Sequence, residues 1–217
     1  MPNLINLEKI STVLIDLDDT VYPADCPVWS LVRDRIDQYL RERLGFPADT
    51  TTALRERLFA TYGTTLRGLE FEYEVDKDDY LDFVHEVPIE DYLEPDPVLH
   101  KTLVSIPQRK MIFTNANEKH ATTVLNSLGV IDLFCDIIDI EDIAPHCKPE
   151  NEAFEIAIQI AGEPNPQAYL FIDDNIKNLL AGQALGMNVI HVGTIEQCSI
   201  PSINKLADIH SLLDGLA

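Results

Sequence analysis

Residues 12–20 read TVLIDLDDT, a short apolar run that ends in three carboxylates within four positions. Like charges this close repel one another, so Asp16, Asp18 and Asp19 cost free energy unless something compensates them. The apolar run has the length and composition of a strand that is buried on both faces of a parallel sheet. The stretch therefore predicts a buried strand with an acidic loop directly after it.

Four further apolar runs of this kind follow along the chain, at 110–114, 136–140, 168–172 and 188–192. Helical patterns with apolar residues on one face separate the later runs, at 117–128, 149–161 and 175–185. Strands that alternate with helices are typical of α/β proteins. The chain therefore predicts an α/β fold built on a doubly wound parallel sheet.

The first two predicted strands are separated by roughly ninety residues, which is far more than one crossover helix needs. Apolar residues recur at helical spacing in this interval, in patterns at 27–44, 49–62 and 77–86. Residues 93–97, LEPDP, contain two prolines and are expected to return the chain to the sheet. We predict an α/β core formed by 1–21 and 94–217, with 22–93 inserted as an α-helical cap.

The composition excludes some classes of partner. Asp and Glu outnumber Lys and Arg by 37 to 16, for a formal charge of −21, and this charge repels nucleic acid polymers and anionic membranes. Four scattered cysteines without a CxxC pair are typical of reduced thiols. The first residues lack a charged leader with a long apolar stretch, and no apolar run approaches about 18 residues. We expect a cytoplasmic protein that binds small molecules.

Ligands of open α/β sheets bind in the crevice beyond the carboxyl ends of the strands. Carboxylates, one amide, one hydroxyl and one ammonium follow the predicted strands or precede the next helix: Asp16, Asp18, Thr114, Asn115, Lys148, Asp173 and Asp174. The carboxylates could not all stay ionised together without a cation, and hard oxygen ligands suit Mg²⁺. We therefore predict a Mg²⁺ site formed by Asp16, Asp18, Asp173 and Asp174.

A bound phosphate would give several of these residues a role in catalysis. Lys148 and Thr114 would contact its oxygens, Asp16 would attack phosphorus to form an aspartyl-phosphate, and Asp18 would protonate the leaving group and deprotonate water. Asp19 has no part in this chemistry and is expected to shape the turn. Each feature alone could be structural, such as a strand-end turn or a helix cap. Their occurrence together favours phosphate chemistry.

Four segments in this order resemble the motifs of the haloacid dehalogenase-like superfamily: DLDDT at 16–20, IFTN at 112–115, KP at 148–149 and FIDD at 171–174. The resemblance implies a Rossmann-like core with a cap and Mg²⁺-dependent phosphoryl transfer. It also implies that the metal lies on Asp174, with Asp173 nearby.

One position departs from the pattern of this superfamily. Many members have a further Asp four residues after the metal-binding Asp, where this chain has Asn178. An amide can orient Lys148 or a water molecule, but it supplies no charge. The hydrolytic dehalogenases of the superfamily work without a metal and lack the second Asp of the first motif, so Asp18 argues against that chemistry here.

The segment TYGTTLRGLE at 61–70 is expected to turn between two cap helices above the strand ends. Gly63 would end one helix and Thr64 or Thr65 would cap the next. Because this polar turn would lie directly over the strand ends, it could also present Thr64, Thr65 and Arg67 to the leaving group. Together with PQRKMIFTNA at 107–116, this segment is similar to the pyrimidine 5′-nucleotidase branch of the superfamily. That similarity implies nucleoside monophosphates, such as UMP or CMP, as substrates.

Other functions use similar residues. A phosphatase for another small ester, such as a sugar phosphate or phosphoglycolate, would share the same catalytic groups. The phosphoacceptor receiver domains of signalling proteins also carry an acidic cluster, a Thr and a Lys, but there the acidic pair comes early. Here the pair 173–174 comes late, after Lys148. A binding protein without catalysis would lack the nucleophile, and Asp16 is present.

Overall fold

The structure is a computed structural model that describes residues 5–194 and 199–214. Its strands are β1 (Ile5–Asn6), β2 (Thr12–Ile15), β3 (Arg109–Phe113), β4 (Asp136–Ile138), β5 (Tyr169–Asp173), β6 (Asn188–Val192), β7 (Ser202–Ile203) and β8 (Leu213–Asp214). Six of them form one parallel sheet in the order β4–β3–β2–β5–β6–β7, while β1 and β8 form a separate parallel pair. The predicted doubly wound α/β fold is confirmed.

The helices are α1 (Val28–Glu42), α2 (Thr51–Tyr62), α3 (Thr65–Tyr73), α4 (Lys77–Val84), α5 (Pro97–Ser105), α6 (Glu118–Ser127), α7 (Asn151–Ala161) and α8 (Ile176–Ala184). Six of these correspond to predicted patterns within a few residues. Helix α5 and the short strands β1, β7 and β8 were not predicted. The start of α5 has a recognisable signal, because Asp96 caps it by accepting from the backbone N–H groups of Val98 and Leu99, and Pro97 fits the first turn.

The central strands are buried on both faces, which explains why their sequences are almost continuously apolar. Along β2, Val13 and Ile15 pack into one hydrophobic cluster, and Leu14 packs into the cluster on the opposite face. The same alternation places Ile172 with the first cluster and Phe171 with the second. The sheet is therefore the middle layer of the molecule.

A crevice opens where the chain leaves β2 and β5. The strands β2 and β5 are neighbours in the sheet. The chain continues from β2 to β3 on one side of this pair and from β5 to β6 on the other side. The connections that follow therefore diverge, which is the usual place for a ligand. Ile15 pairs with Ile172, and the Asp16 N–H donates to the Ile172 carbonyl at 2.8 Å. The register thus brings Asp16 and Asp173 to the same level.

Helices α1–α4 pack against one another, and α1, α2 and α4 correspond to the three predicted patterns of apolar residues. Tyr39 of α1 makes edge contacts with Tyr80 and Phe83 of α4, with ring centroids 5.0 and 5.4 Å apart. Val32, Ile36 and Leu58 are buried in the same hydrophobic cluster. We propose that these four helices form the cap, 22–93, on a core made of 1–21 and 94–217.

Helices α2 and α3 approach each other closely at Gly68. A Cβ atom there would lie 2.7 Å from Leu58 Cδ2 and 2.8 Å from both Leu58 Cβ and Tyr62 Cδ2. We expect Gly68→Ala to lower the free energy of unfolding by about 1–3 kcal/mol because of this overpacking, despite a helix-propensity gain of about 1 kcal/mol. Urea denaturation would measure the change. Glu70→Ala, at an exposed position on α3, is the control, and a Gly68→Ala variant as stable as the parent chain would contradict the expectation.

Within the described ranges, every helix is too short or too polar to cross a bilayer. Cys26, Cys135 and Cys147 are free thiols, and Cys198 lies outside the described residues.

Candidate active site

A cavity of about 580 Å³ lies between the strand ends and helices α1–α4. Most of the residues predicted to act on the substrate line it: Asp16, Asp18, Thr64, Thr65, Thr114, Asn115, Lys148 and Asp174. Asp173 is fully buried next to them. The structure therefore brings together, around one cavity, side chains that are far apart in the sequence.

Lys148 lies at the centre of the site and is 1% exposed. Its Nζ donates to Asp16 Oδ1 at 2.6 Å, to Asp173 Oδ2 at 2.9 Å and to the Phe113 carbonyl at 2.6 Å. Burial by itself would lower the pKa of Lys148, but the charges of the two carboxylates outweigh burial and raise it above its usual value. Lys148 is therefore a cation that joins the ends of β2, β3 and β5.

Asn115 fixes the position of the Lys148 backbone. Its side-chain amide donates to the Lys148 carbonyl at 3.0 Å and accepts from the Lys148 N–H at 2.9 Å. The predicted substrate ligand Asn115 thus lines the cavity while both ends of its amide are already engaged. Thr114, which is 1% exposed, accepts from the Ala116 N–H at 3.0 Å, and its hydroxyl hydrogen remains available for donation.

Three carboxylates form a compact group at the edge of the cavity. Asp16, Asp173 and Asp174 each offer one oxygen, and these oxygens lie within 4.8 Å of one another. Burial is the main cause that raises the pKa of Asp16 well above its usual value, and the neighbouring carboxylates add to it. Burial and the charge of Asp173 raise the pKa of Asp174 to about 7. Closely spaced carboxyl groups with raised pKa values are suited to bind a divalent cation, because the positive charge of the ion would relieve the repulsion between the carboxylates.

Asp18 lies outside this group of carboxylates, in contrast to the prediction that it shares the metal site. Its Oδ1 accepts from the Tyr22 hydroxyl at 2.5 Å and lies 2.8 Å from His120 Nε2. Burial would raise the pKa of Asp18, but the His120 charge and these hydrogen bonds outweigh burial and lower it. The sequence did not indicate His120 as a site residue, because 102 positions separate it from Asp18.

Asn178 supports Asp173 instead of Lys148. Its amide nitrogen donates to both carboxylate oxygens of Asp173, at 3.2 and 3.0 Å, and its Oδ1 is buried without a partner. Asp173 is therefore held by an amide on one side and by the ammonium of Lys148 on the other. The amide orients the carboxylate without adding a negative charge to an already acidic site.

Asp19 lies on the wall of the cavity and adopts a left-handed backbone with φ of 58°. This conformation is uncommon outside glycine, although Asp tolerates it better than most residues. Its Oδ1 is buried without a hydrogen bond, and burial together with the charge of Asp18 raises the pKa of Asp19 to about 6. The predicted turn is present, and the carboxyl group also lies beside the ligand space.

Aromatic and aliphatic side chains form much of the opposite wall, including Trp29, Phe59, Leu66 and Tyr80. They come from helices α1–α4. Between α2 and α3, Gly63 ends one helix with φ of 86°, and Thr64 caps the next by accepting from the Arg67 N–H. This turn follows the sequence prediction.

Arg67 differs from its prediction, because it does not line the cavity. Its Nε lies 3.9 Å from Glu150 Oε1, and its guanidinium lies over the Phe71 ring at 4.6 Å. Since Thr64 and Thr65 face the cavity at the start of α3, residue 67 lies further round the helix and points elsewhere. Arg67 is therefore removed from the set of candidate substrate ligands.

Residues 10–186 match the sequence model of the haloacid dehalogenase-like hydrolases. Phosphate metabolism protein 8 of Saccharomyces cerevisiae is 30% identical to this chain over 213 residues. That match covers 90% of this chain but 65% of the yeast protein, so this chain spans about two thirds of the length of its relative.

Several solved structures share the fold. A HAD phosphatase from Thermococcus onnurineus superposes with a TM-score of 0.64 at 17% identity, covering 93% of this chain and 97% of that one. The HAD hydrolase YfnB from Bacillus subtilis, solved with bound magnesium, gives 0.63 at 19% identity, with coverages of 94% and 98%. The L-2-haloacid dehalogenase from Xanthobacter autotrophicus gives 0.55 at 18%, with coverages of 87% and 79%.

Proposed function

The chain belongs to the haloacid dehalogenase-like hydrolase family, and we propose that it is a Mg²⁺-dependent phosphatase of small phosphomonoesters. The observation that carries this proposal is the contact of Lys148 with both Asp16 and Asp173 on the floor of a cavity that Asp18 also lines. One carboxylate is thus available as a nucleophile and a separate one as an acid and base. Asp18 also argues against hydrolytic dehalogenation.

The carboxylate group of Asp16, Asp173 and Asp174 is the proposed holder of Mg²⁺. Asp16 and Asp174 line the cavity, whereas Asp173 is 0% exposed and does not line it. Oδ2 of Asp173 accepts from Lys148 and Asn178, and its Oδ1 accepts from Asn178. Asp16 and Asp174 are therefore the proposed direct ligands, and Asp173 keeps the ammonium in place. When bound, the ion would neutralise charge on the phosphate and on these carboxylates.

In the proposed reaction, the Asp16 carboxylate attacks phosphorus and forms an aspartyl-phosphate while the ester oxygen leaves with a proton from Asp18. The negative charge of the bound phosphate would favour the protonated form of Asp18 that this step needs, against the contacts that lower its pKa. Asp18 then takes a proton from a water molecule that attacks the aspartyl-phosphate. This releases inorganic phosphate and restores both side chains. Thr114 is proposed to donate to a phosphate oxygen. Lys148, whose three N–H groups are engaged by Asp16, Asp173 and the Phe113 carbonyl, is proposed to attract the phosphate through its charge while it holds Asp16 in position.

We further propose that the substrates are pyrimidine nucleoside 5′-monophosphates. The aromatic wall of Trp29, Phe59 and Tyr80 offers flat apolar surfaces on which a base can stack. The volume of about 580 Å³ lies within the range of about 300–1,000 Å³ typical of small-molecule sites. Thr64 and Thr65 add hydroxyl groups to the same wall.

A substrate panel with and without Mg²⁺ tests this proposal. We expect UMP and CMP to be hydrolysed faster than purine nucleotides, sugar phosphates and phosphoglycolate, and we expect chelation of the metal to abolish turnover. The measurement is the initial rate of phosphate release from each ester. A panel led by a sugar phosphate or by phosphoglycolate would overturn the nucleotide assignment. A single phosphorylation of Asp16 without turnover would indicate a receiver-like function.

A further inference from the structure

We propose that His120 and Tyr22 are positioning residues that hold Asp18 in the orientation needed for proton transfer to the leaving group. This inference rests on the proposed phosphatase function. Both side chains contact the same carboxylate oxygen, Oδ1, at 2.8 Å from His120 Nε2 and 2.5 Å from the Tyr22 hydroxyl. Two donors on one oxygen fix the rotation of the carboxyl group, since each hydrogen bond restricts it in a different direction.

The second oxygen of Asp18 is left for the substrate. Among the described residues, no hydrogen bond is made to Oδ2, and Asp18 lines the cavity. When Asp18 acts as the acid, the O–H bond at Oδ2 breaks and the proton forms a new O–H bond with the ester oxygen. The bond between that ester oxygen and phosphorus breaks in the same step. The reverse transfer from water returns the proton to Oδ2. The contacts to Oδ1 persist through both steps.

The two donors are themselves rigidly placed. Tyr22 is 1% exposed, and the side chain of His120 is fully buried. His120 lies in the first turn of α6, where its N–H donates to the side chain of the cap Asn117 at 3.1 Å. The His120 ring stacks on the His85 ring with centroids 4.5 Å apart and planes at 22°. A buried stacked ring has little freedom to rotate. The positions of these donors are therefore set by packing and do not depend on bound substrate.

Tyr22→Phe and His120→Phe remove one donor each and keep a ring in place. We expect each to lower kcat/KM about 10-fold for phenyl phosphate, whose leaving group needs a proton, and the double variant to lower it about 100-fold. With 2,4-dinitrophenyl phosphate, whose leaving group departs as an anion, we expect losses below about 3-fold. His120→Gln, whose amide can donate at a similar reach, should recover part of the activity.

The controls are Tyr92→Phe and His100→Phe, which make the same changes at exposed positions and should leave both rates unchanged. Equal losses on both esters, or no loss on either, would overturn the positioning role. If the unmodified chain cleaves neither ester in the presence of Mg²⁺, the phosphatase proposal fails with it, and this outcome is distinct from the others. Should His120→Phe not fold, Tyr22→Phe alone still gives the comparison of the two esters.

Discussion

Replacing Asp16 with asparagine is expected to reduce phosphate release by on the order of 10⁵-fold, because an amide oxygen is a poor nucleophile towards phosphorus. The fold should tolerate the change. The pKa of Asp16 is raised mainly by burial and further by Asp173 and Asp174, so at neutral pH its ionised form opposes folding. Removal of that charge therefore offsets the loss of one hydrogen bond to Lys148. The melting temperature should stay the same or rise.

Rates of phosphate release and thermal unfolding curves, measured on the same preparations, would check both parts of this expectation. Asp25→Asn, at an exposed position in the same loop, is the matched control and should keep full activity. An Asp16→Asn variant that is folded and retains more than about 1% of the turnover would contradict the nucleophilic role. Intact-mass analysis of acid-quenched enzyme should find a phosphorylated species in the parent chain that is missing from the variant.

The sheet could be predicted from the sequence because its strands are buried on both faces. Runs such as 12–15 and 169–173 have to be apolar throughout, and this makes them visible without any partner. The short strands β1, β7 and β8 have two residues each, which is too few for a repeating pattern of apolar residues to be visible. Their pairing depends on where the ends of the chain return, and a local pattern does not contain that information.

The floor of the cavity was predictable for a related reason. In a parallel sheet the residues after each strand meet at one edge, so Asp16, Thr114 and Asp174 could be placed together from their positions alone. The contacts between these residues could not be predicted from their positions in the sequence. Asn115 binds the backbone of Lys148, and Asn178 binds Asp173, because side-chain directions decide each partner.

The side of the cavity formed by helices α1–α4 could be predicted from the sequence only in part. Gly63 and Thr64 adopt the predicted ends of two helices because those signals act within a few residues. Arg67 was expected at the cavity and lies beside Glu150, since the direction of a long side chain depends on the rotation of the helix as a whole. His120 meets Asp18 through the packing of α6, which no local pattern predicts.

Replacing Lys148 with methionine is expected to lower the free energy of unfolding by about 3–5 kcal/mol, because it leaves buried carboxylates without their cation. Asp16 and Asp173 both lie against its Nζ, and Asp173 is 0% exposed. Methionine keeps most of the length of lysine, so packing changes little. Activity should fall by about 10³-fold, since both Asp16 and the phosphate would lose a positive charge. Lys177→Met, at an exposed position on α8, is the control for stability and rate.

A double variant, Lys148→Met with Asp173→Asn, separates the two effects. Removing one of the two facing carboxylates should recover about half or more of the lost stability, since the remaining repulsion involves one charge fewer. It should not recover activity, because the ammonium that holds Asp16 and the phosphate is still missing. Urea denaturation and phosphate release on the single and double variants complete the cycle. Recovery of both stability and activity in the double variant would mean that Lys148 only balances the charge of Asp173. A Lys148→Met variant as stable as the parent chain would contradict the stabilising role of the buried ion pairs.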